Sequence, residues 1–126
     1  MGKLLAFLGT IAIGLSFGGP KEITAYYNPK CTCCHKYFKI LEEKGYKINR
    51  VELDYQLLYA KKDRLGVPVN QRSCHTMEIG GKFIEGHVPV KGIEELLKSK
   101  DARGVYSPHG NLSGWGKEEK EFFLIK

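Results

Sequence analysis

The 126-residue sequence has no internal repeat, no block of like charge and no apolar run of the length that a bilayer span requires. At this length and without repeats, it holds one small domain at most. Lys and Arg outnumber Asp and Glu to give a net charge of +6, but the two signs are interspersed. Scattered charge of this kind makes a solvated basic surface and argues against a nucleic-acid footprint. Cysteines are few, four in all, and they lack the spacing of a disulfide framework. A bridge from Cys31 to Cys33, or from Cys33 to Cys34, would close almost no loop and constrain little of the unfolded chain.

The first twenty residues form a zone of their own. Lys3 carries their one charge, Leu4 to Phe17 is largely apolar, and Gly18-Gly19-Pro20 breaks the run before Lys21. A basic start, a short apolar stretch and small residues after it are the pattern of an export signal. No clean small-x-small cleavage site follows, so residues 1–20 are expected to be a signal peptide or a retained N-terminal anchor formed by residues 4–17. Contact with a membrane is expected only in the second case. Removal of the segment would leave a net charge of +5 and about 106 residues, enough for one compact core.

What remains reads as alternating elements. Ile23 to Tyr27 is short and β-prone, and Asn28-Pro29-Lys30 turns the chain into Cys31-Thr32-Cys33-Cys34. A helix is expected from Cys34 to Lys44 with a stripe of Tyr37, Phe38, Ile40 and Leu41, ended by Gly45. Val51 and Leu53 alternate in a second strand over 47–54. Leu57, Leu58, Ala60 and Leu65 give a second helix over 55–65, closed by Gly66. Thr76 to Ile79, Gly80-Gly81 and Lys82 to Val88 make a hairpin. Ile93, Leu96 and Leu97 place a third helix over 91–100. The order βαβα–ββα specifies an α/β fold: a central mixed β-sheet flanked by helices. Residues 21–100 form the domain, and 101–126 are expected to be a loop-rich tail packed on it, with an edge strand at 122–125.

The chemistry lies in the sulfur. Cys34 falls in the first turn of a helix, where free N–H groups and the helix dipole favour a thiolate. Cys74, in Ser73-Cys74-His75-Thr76, precedes the hairpin, and the topology brings that loop beside the helix start. Cys31, Cys33, Cys34 and Cys74 therefore converge from two loops, with His75 as a further candidate metal ligand. His75 has an alternative role in ordering its loop. His35 reads as a neighbour or surface residue, Met77 as core, and His87 either faces the site or orders the turn. Tyr26 and Tyr27 fall on opposite faces of the first strand. His109 has no argument beyond its type, and Trp115 is expected to anchor the tail.

This arrangement resembles the thioredoxin-like one, which carries a C-x-x-C pair at its first helix and a cis-proline before the hairpin. Here Cys31 and Cys34 form the pair, with Cys33 between them, and Cys74-His75 stands where that proline is expected. More specifically, Cys31-Thr32-Cys33-Cys34, Leu65-Gly66-Val67-Pro68, Ser73-Cys74-His75-Thr76 and Gly80-Gly81 with Glu85-Gly86-His87-Val88-Pro89 resemble the CopG-type copper-resistance family of small exported proteins. The resemblance runs from about Ile23 to Lys100. It implies a thioredoxin-like fold and copper handling in the bacterial periplasm, with a copper donor or acceptor protein as partner.

Softness and resemblance together favour Cu(I), as one ion or a small polynuclear site on the clustered thiolates, over zinc. Structural zinc sites space their cysteine pairs more widely than C-x-C-C does. Two other functions compete with copper binding. One is a thiol–disulfide oxidoreductase in which Cys31 attacks and Cys34 resolves. The other is an interaction domain with two structural disulfides.

Overall fold

The computed structural model describes residues 21–107 and 121–126. Segment 1–20, with the expected signal or anchor, lies outside the described residues, as do His109 and Trp115. Strand β1 (Glu22–Tyr27) leads into helix α1 (Cys34–Glu43), strand β2 (Lys47–Glu52) and helix α2 (Tyr55–Leu65). A single 3-10 turn (Val69–Gln71) precedes strands β3 (His75–Ile79) and β4 (Lys82–Glu85), helix α3 (Val90–Lys98), and strands β5 (Gly104–Tyr106) and β6 (Phe123–Ile125).

These strands form one mixed sheet in the order β2-β1-β3-β4-β5-β6. β1 pairs parallel to β2 and antiparallel to β3, and β4 pairs parallel to β5. The expected α/β architecture is present, and β2-β1-β3-β4 with its helices is the thioredoxin-like core. Within 101–126 the chain adds two strands, which sequence patterning had read as loop and a single edge strand. β5 is only three residues long, too short to show a period. Its pairing to β4 depends on Gly104, where a Cβ would overlap the ring of Phe83.

Helix α1 sits where its apolar stripe directs it. α1 buries Cys34, Tyr37, Phe38 and Leu41, the spacing of one helical face. In α2 the expected face is corrected. Leu58 and Lys62 are its buried residues, whereas Leu57 is 55% exposed and Ala60 is also exposed. Asp54 caps this helix by accepting from the Leu57 N–H at 2.8 Å. In β2, Ile48 is the buried residue and Val51 is half-buried, as is Leu53 just beyond the strand's end.

Between β3 and β4, Gly80 and Gly81 both have positive φ (55° and 82°), as a two-residue hairpin turn requires. β4 stops at Glu85, short of the expected Val88. Gly86, at φ 86°, turns the chain so that His87 points back toward α1. None of the helices among the described residues is long and apolar enough to cross a membrane.

Candidate metal centre

The loop Asn28–Cys33 is held in a tight turn before α1. Asn28 Oδ1 accepts from the Lys30 N–H, and the Cys31 and Cys34 N–H groups donate to the Asn28 and Cys31 carbonyls. Cys33 takes the N-cap position without a side-chain cap, so the positive end of the α1 dipole lies beside the cysteine loop. From the other side, pairing of β1 with β3 sets Tyr27 opposite His75 and so delivers Cys74 to the same place.

The result is a compact group of sulfurs. Cys31 and Cys34 are joined by a disulfide, while Cys33 and Cys74 are free thiols. Cys74 Sγ lies 2.7 Å from Cys31 Sγ and 3.9 Å from both Cys33 Sγ and Cys34 Sγ. Cys33 Sγ is 4.0 Å from Cys31 Sγ. The ligand atoms of Cys31, Cys34, Cys74 and His75 all fall within 4.8 Å of one another. With metal–sulfur bonds of about 2.3 Å, two sulfurs on one ion sit roughly 4 Å apart, so the 3.9 Å spacings from Cys74 to Cys33 and Cys34 suit a shared ion, whereas the 2.7 Å to Cys31 is too short for one. Cys31 and Cys34 would join as thiolates only after reduction of their bridge.

Electrostatics distinguish the donors. His75 is fully buried, with Nδ1 3.5 Å from Cys34 Sγ. Burial above all, with the charges of His87 and Lys62, lowers its pKa to about 3, so the ring is neutral at physiological pH and free to ligate. Its Nε2 is buried without a well-formed hydrogen bond, although the backbone of Gly86 acts on the ring. A buried nitrogen so poorly satisfied is rare and fits a ligand position. Burial, then the neighbouring Cys33, raises the Cys74 thiol to about 11. A cation in the group would offset that cost, because metal binding is coupled to thiol deprotonation.

The other sequence candidates divide clearly. His87 faces the site, stacked on His75 at 5.6 Å between ring centroids and set against Tyr37 at 5.0 Å. Tyr37 donates to the Val88 carbonyl and backs both rings. His35 points away, its ring against Tyr27 and its Nδ1 2.7 Å from Arg50 Nη1. Met77 is wholly buried in the core. Tyr27 is buried and Tyr26 half-buried on the other face. A cleft of about 260 Å³, lined by Tyr55, Leu58, Tyr59, Arg72, Ser73 and Cys74, opens on Cys74.

Sequence reasoning missed a polar cluster beneath this site. Lys62, Thr76 and Glu85 are each fully buried. Lys62 Nζ donates to Glu85 Oε2, Thr76 Oγ1 and the His75 carbonyl, and Thr76 donates to Glu85 Oε1. Burial lowers the pKa of Lys62 and raises that of Glu85, and their mutual attraction opposes both shifts. One signal was available. Lys62 stands four residues after Leu58, on the buried stripe of α2, where a charge needs a partner.

Comparison with known proteins agrees with this picture. A family model described as "Protein of unknown function, DUF411" matches residues 71–113. A solved structure of copper resistance protein CopG, form 1, is 39% identical, with 71% of this chain and 70% of that chain covered and a TM-score of 0.66. Its form 2 is 33% identical, covering 82% of this chain and 85% of that one, at a TM-score of 0.70. No curated protein matches the sequence.

Proposed function

This chain belongs to the CopG-type copper-resistance family, and from that premise we propose that it binds copper in the periplasm, as Cu(I) on clustered thiolates, in copper resistance or handling. One observation carries the reading: three cysteine sulfurs and a neutral, buried imidazole lie within 4.8 Å of one another. Cys33, within 4.0 Å of two of those sulfurs, adds a fourth thiol. Soft sulfur donors select Cu(I), and more thiols than one ion needs suit bridging between ions. Zinc, which accepts the same donor types, is the rival metal. Export rests on the pattern of residues 1–20, and a copper donor or acceptor protein would reach the site through the cleft at Cys74.

The test is an anaerobic Cu(I) titration of the reduced protein against a competing chelator. Tight binding that alkylation of the cysteines abolishes supports the reading, and more than one ion per chain supports a bridged cluster. Absence of competitive binding refutes it.

A second reading, thiol–disulfide exchange, is favoured by the Cys31–Cys34 bridge itself. Against it, Cys31 is only 8% exposed, and two further thiols lie within about 4 Å of it. Those thiols would divert a mixed disulfide before an external partner could resolve it. Turnover of a disulfide substrate by copper-free protein would reverse the preference.

A further inference from the structure

Cys74 and His75 belong to a loop–strand junction, and the residues flanking Cys74 are fastened to the two halves of one buried ion pair. The Ser73 N–H donates to Glu85 Oε2 at 2.8 Å, and the His75 carbonyl accepts from Lys62 Nζ at 3.1 Å. Thr76 bridges the pair, accepting from Lys62 at 2.6 Å and donating to Glu85 at 2.6 Å. All three Lys62 protons and both Glu85 oxygens are thereby engaged.

Three elements meet here: Lys62 comes from α2, Thr76 from β3 and Glu85 from β4. Such a network is a poor investment in stability, because desolvating two charges offsets most of their attraction, and apolar replacements of the same size are often as stable. Its distinctive effect is geometric. It fixes the backbone on both sides of a cysteine whose sulfur must meet three others, and outer partners of this kind orient metal ligands.

We propose that Lys62 and Glu85 are positioning residues for the copper site, holding the Ser73–Thr76 backbone so that Cys74 and His75 meet the Cys31–Cys34 turn. This rests on the copper reading of the same site, but it has a consequence that needs no metal. Released from the ion pair, Cys74 becomes freely accessible while Cys33, on the opposite loop, does not change.

The test compares the full chain with Lys62→Met/Glu85→Met, which removes both charges together and leaves no uncompensated ion. Thr76→Val is the milder partner variant. In reduced, metal-free protein, iodoacetamide should modify Cys74 about tenfold faster in the double variant, with the Cys33 rate unchanged. Cu(I) affinity against a chelator should fall about 10- to 100-fold, the usual cost of losing a ligand's supporting partner. The thiolate-to-copper absorption should shift as the Cys74 contribution is lost.

A purely structural pair would change the melting temperature and leave the Cys74 rate and the copper spectrum at wild-type values, and that result overturns the proposal. Should the double variant fail to fold, Thr76→Val decides the matter: a several-fold rise in Cys74 alkylation supports the proposal, and an unchanged rate overturns it. If wild-type protein binds no Cu(I), the copper reading fails on its own, and the alkylation ratio still decides whether the pair positions Cys74.

Discussion

His75 Nδ1 lies 3.5 Å from Cys34 Sγ, joining the start of β3 to the start of α1 across 41 residues of sequence. Both residues are wholly buried, so this contact forms a dry wall of the sulfur site. A ring buried in this way resists protonation, and the consequence is measurable.

Because the folded-state pKa of His75 is about 3, against an ordinary 6.5, the unfolded chain binds the extra proton between those values. The contribution of His75 is therefore fully present above pH 6.5 and is lost as pH falls toward 3. Urea unfolding of the metal-free protein should show stability dropping by a few kcal/mol, to order of magnitude, over that interval. His75→Gln, which cannot be protonated, should flatten this part of the profile. An equal slope in both proteins would contradict the buried neutral ring.

Copper loading should depend on reduction of the Cys31–Cys34 bridge. Two electrons and two protons convert it to two thiols, and only thiolates bind the metal. Protein purified without reductant should bind fewer Cu(I) ions, or bind them less tightly, than the same protein treated with reductant and desalted anaerobically. Identical titrations would show that Cys33, Cys74 and His75 suffice.

Cys33 is half-exposed and outside the bridge, so its replacement tests the site with little disturbance to the core. Cys33→Ser should leave stability within about 0.5 kcal/mol of wild type, as for most surface changes. The same variant should lower Cu(I) stoichiometry or affinity in the chelator competition. Unchanged stoichiometry and affinity would remove Cys33 from the site.

Gly104 tests the added strands. A Cβ there would overlap the Phe83 ring at Cζ, Cε1 and Cε2, in the middle of the sheet. Gly104→Ala should cost about 1–3 kcal/mol, the usual penalty of overpacking, read as a lower melting temperature. A neutral result would mean that β5 does not press against β4 as described.

The cysteine cluster was legible because its parts are local. C-x-C-C and Ser-Cys-His-Thr are visible as strings, and one topological argument, a hairpin loop beside a helix start, brings them together. The Lys62–Glu85 pair was not legible, since its partners lie 23 residues apart on different elements and a lone lysine in a helix ordinarily points to solvent. Likewise the stack of His87 on His75 depends on the turn at Gly86, which ends β4 three residues before the apolar pattern suggests.

By itself, the sequence determined the order of elements, the α1 stripe, the Gly80-Gly81 hairpin and the convergence of the cysteines. Each is a matter of side-chain period, backbone freedom or element order. Tertiary structure alone decided which face of α2 is buried, which sulfurs are bridged, and that β5 and β6 extend the sheet. It also set His75 dry and neutral against Cys34. Burial is a property of neighbours distant along the chain, and it is burial that sets the charge of an imidazole, the partner of a lysine and the cost of a thiolate.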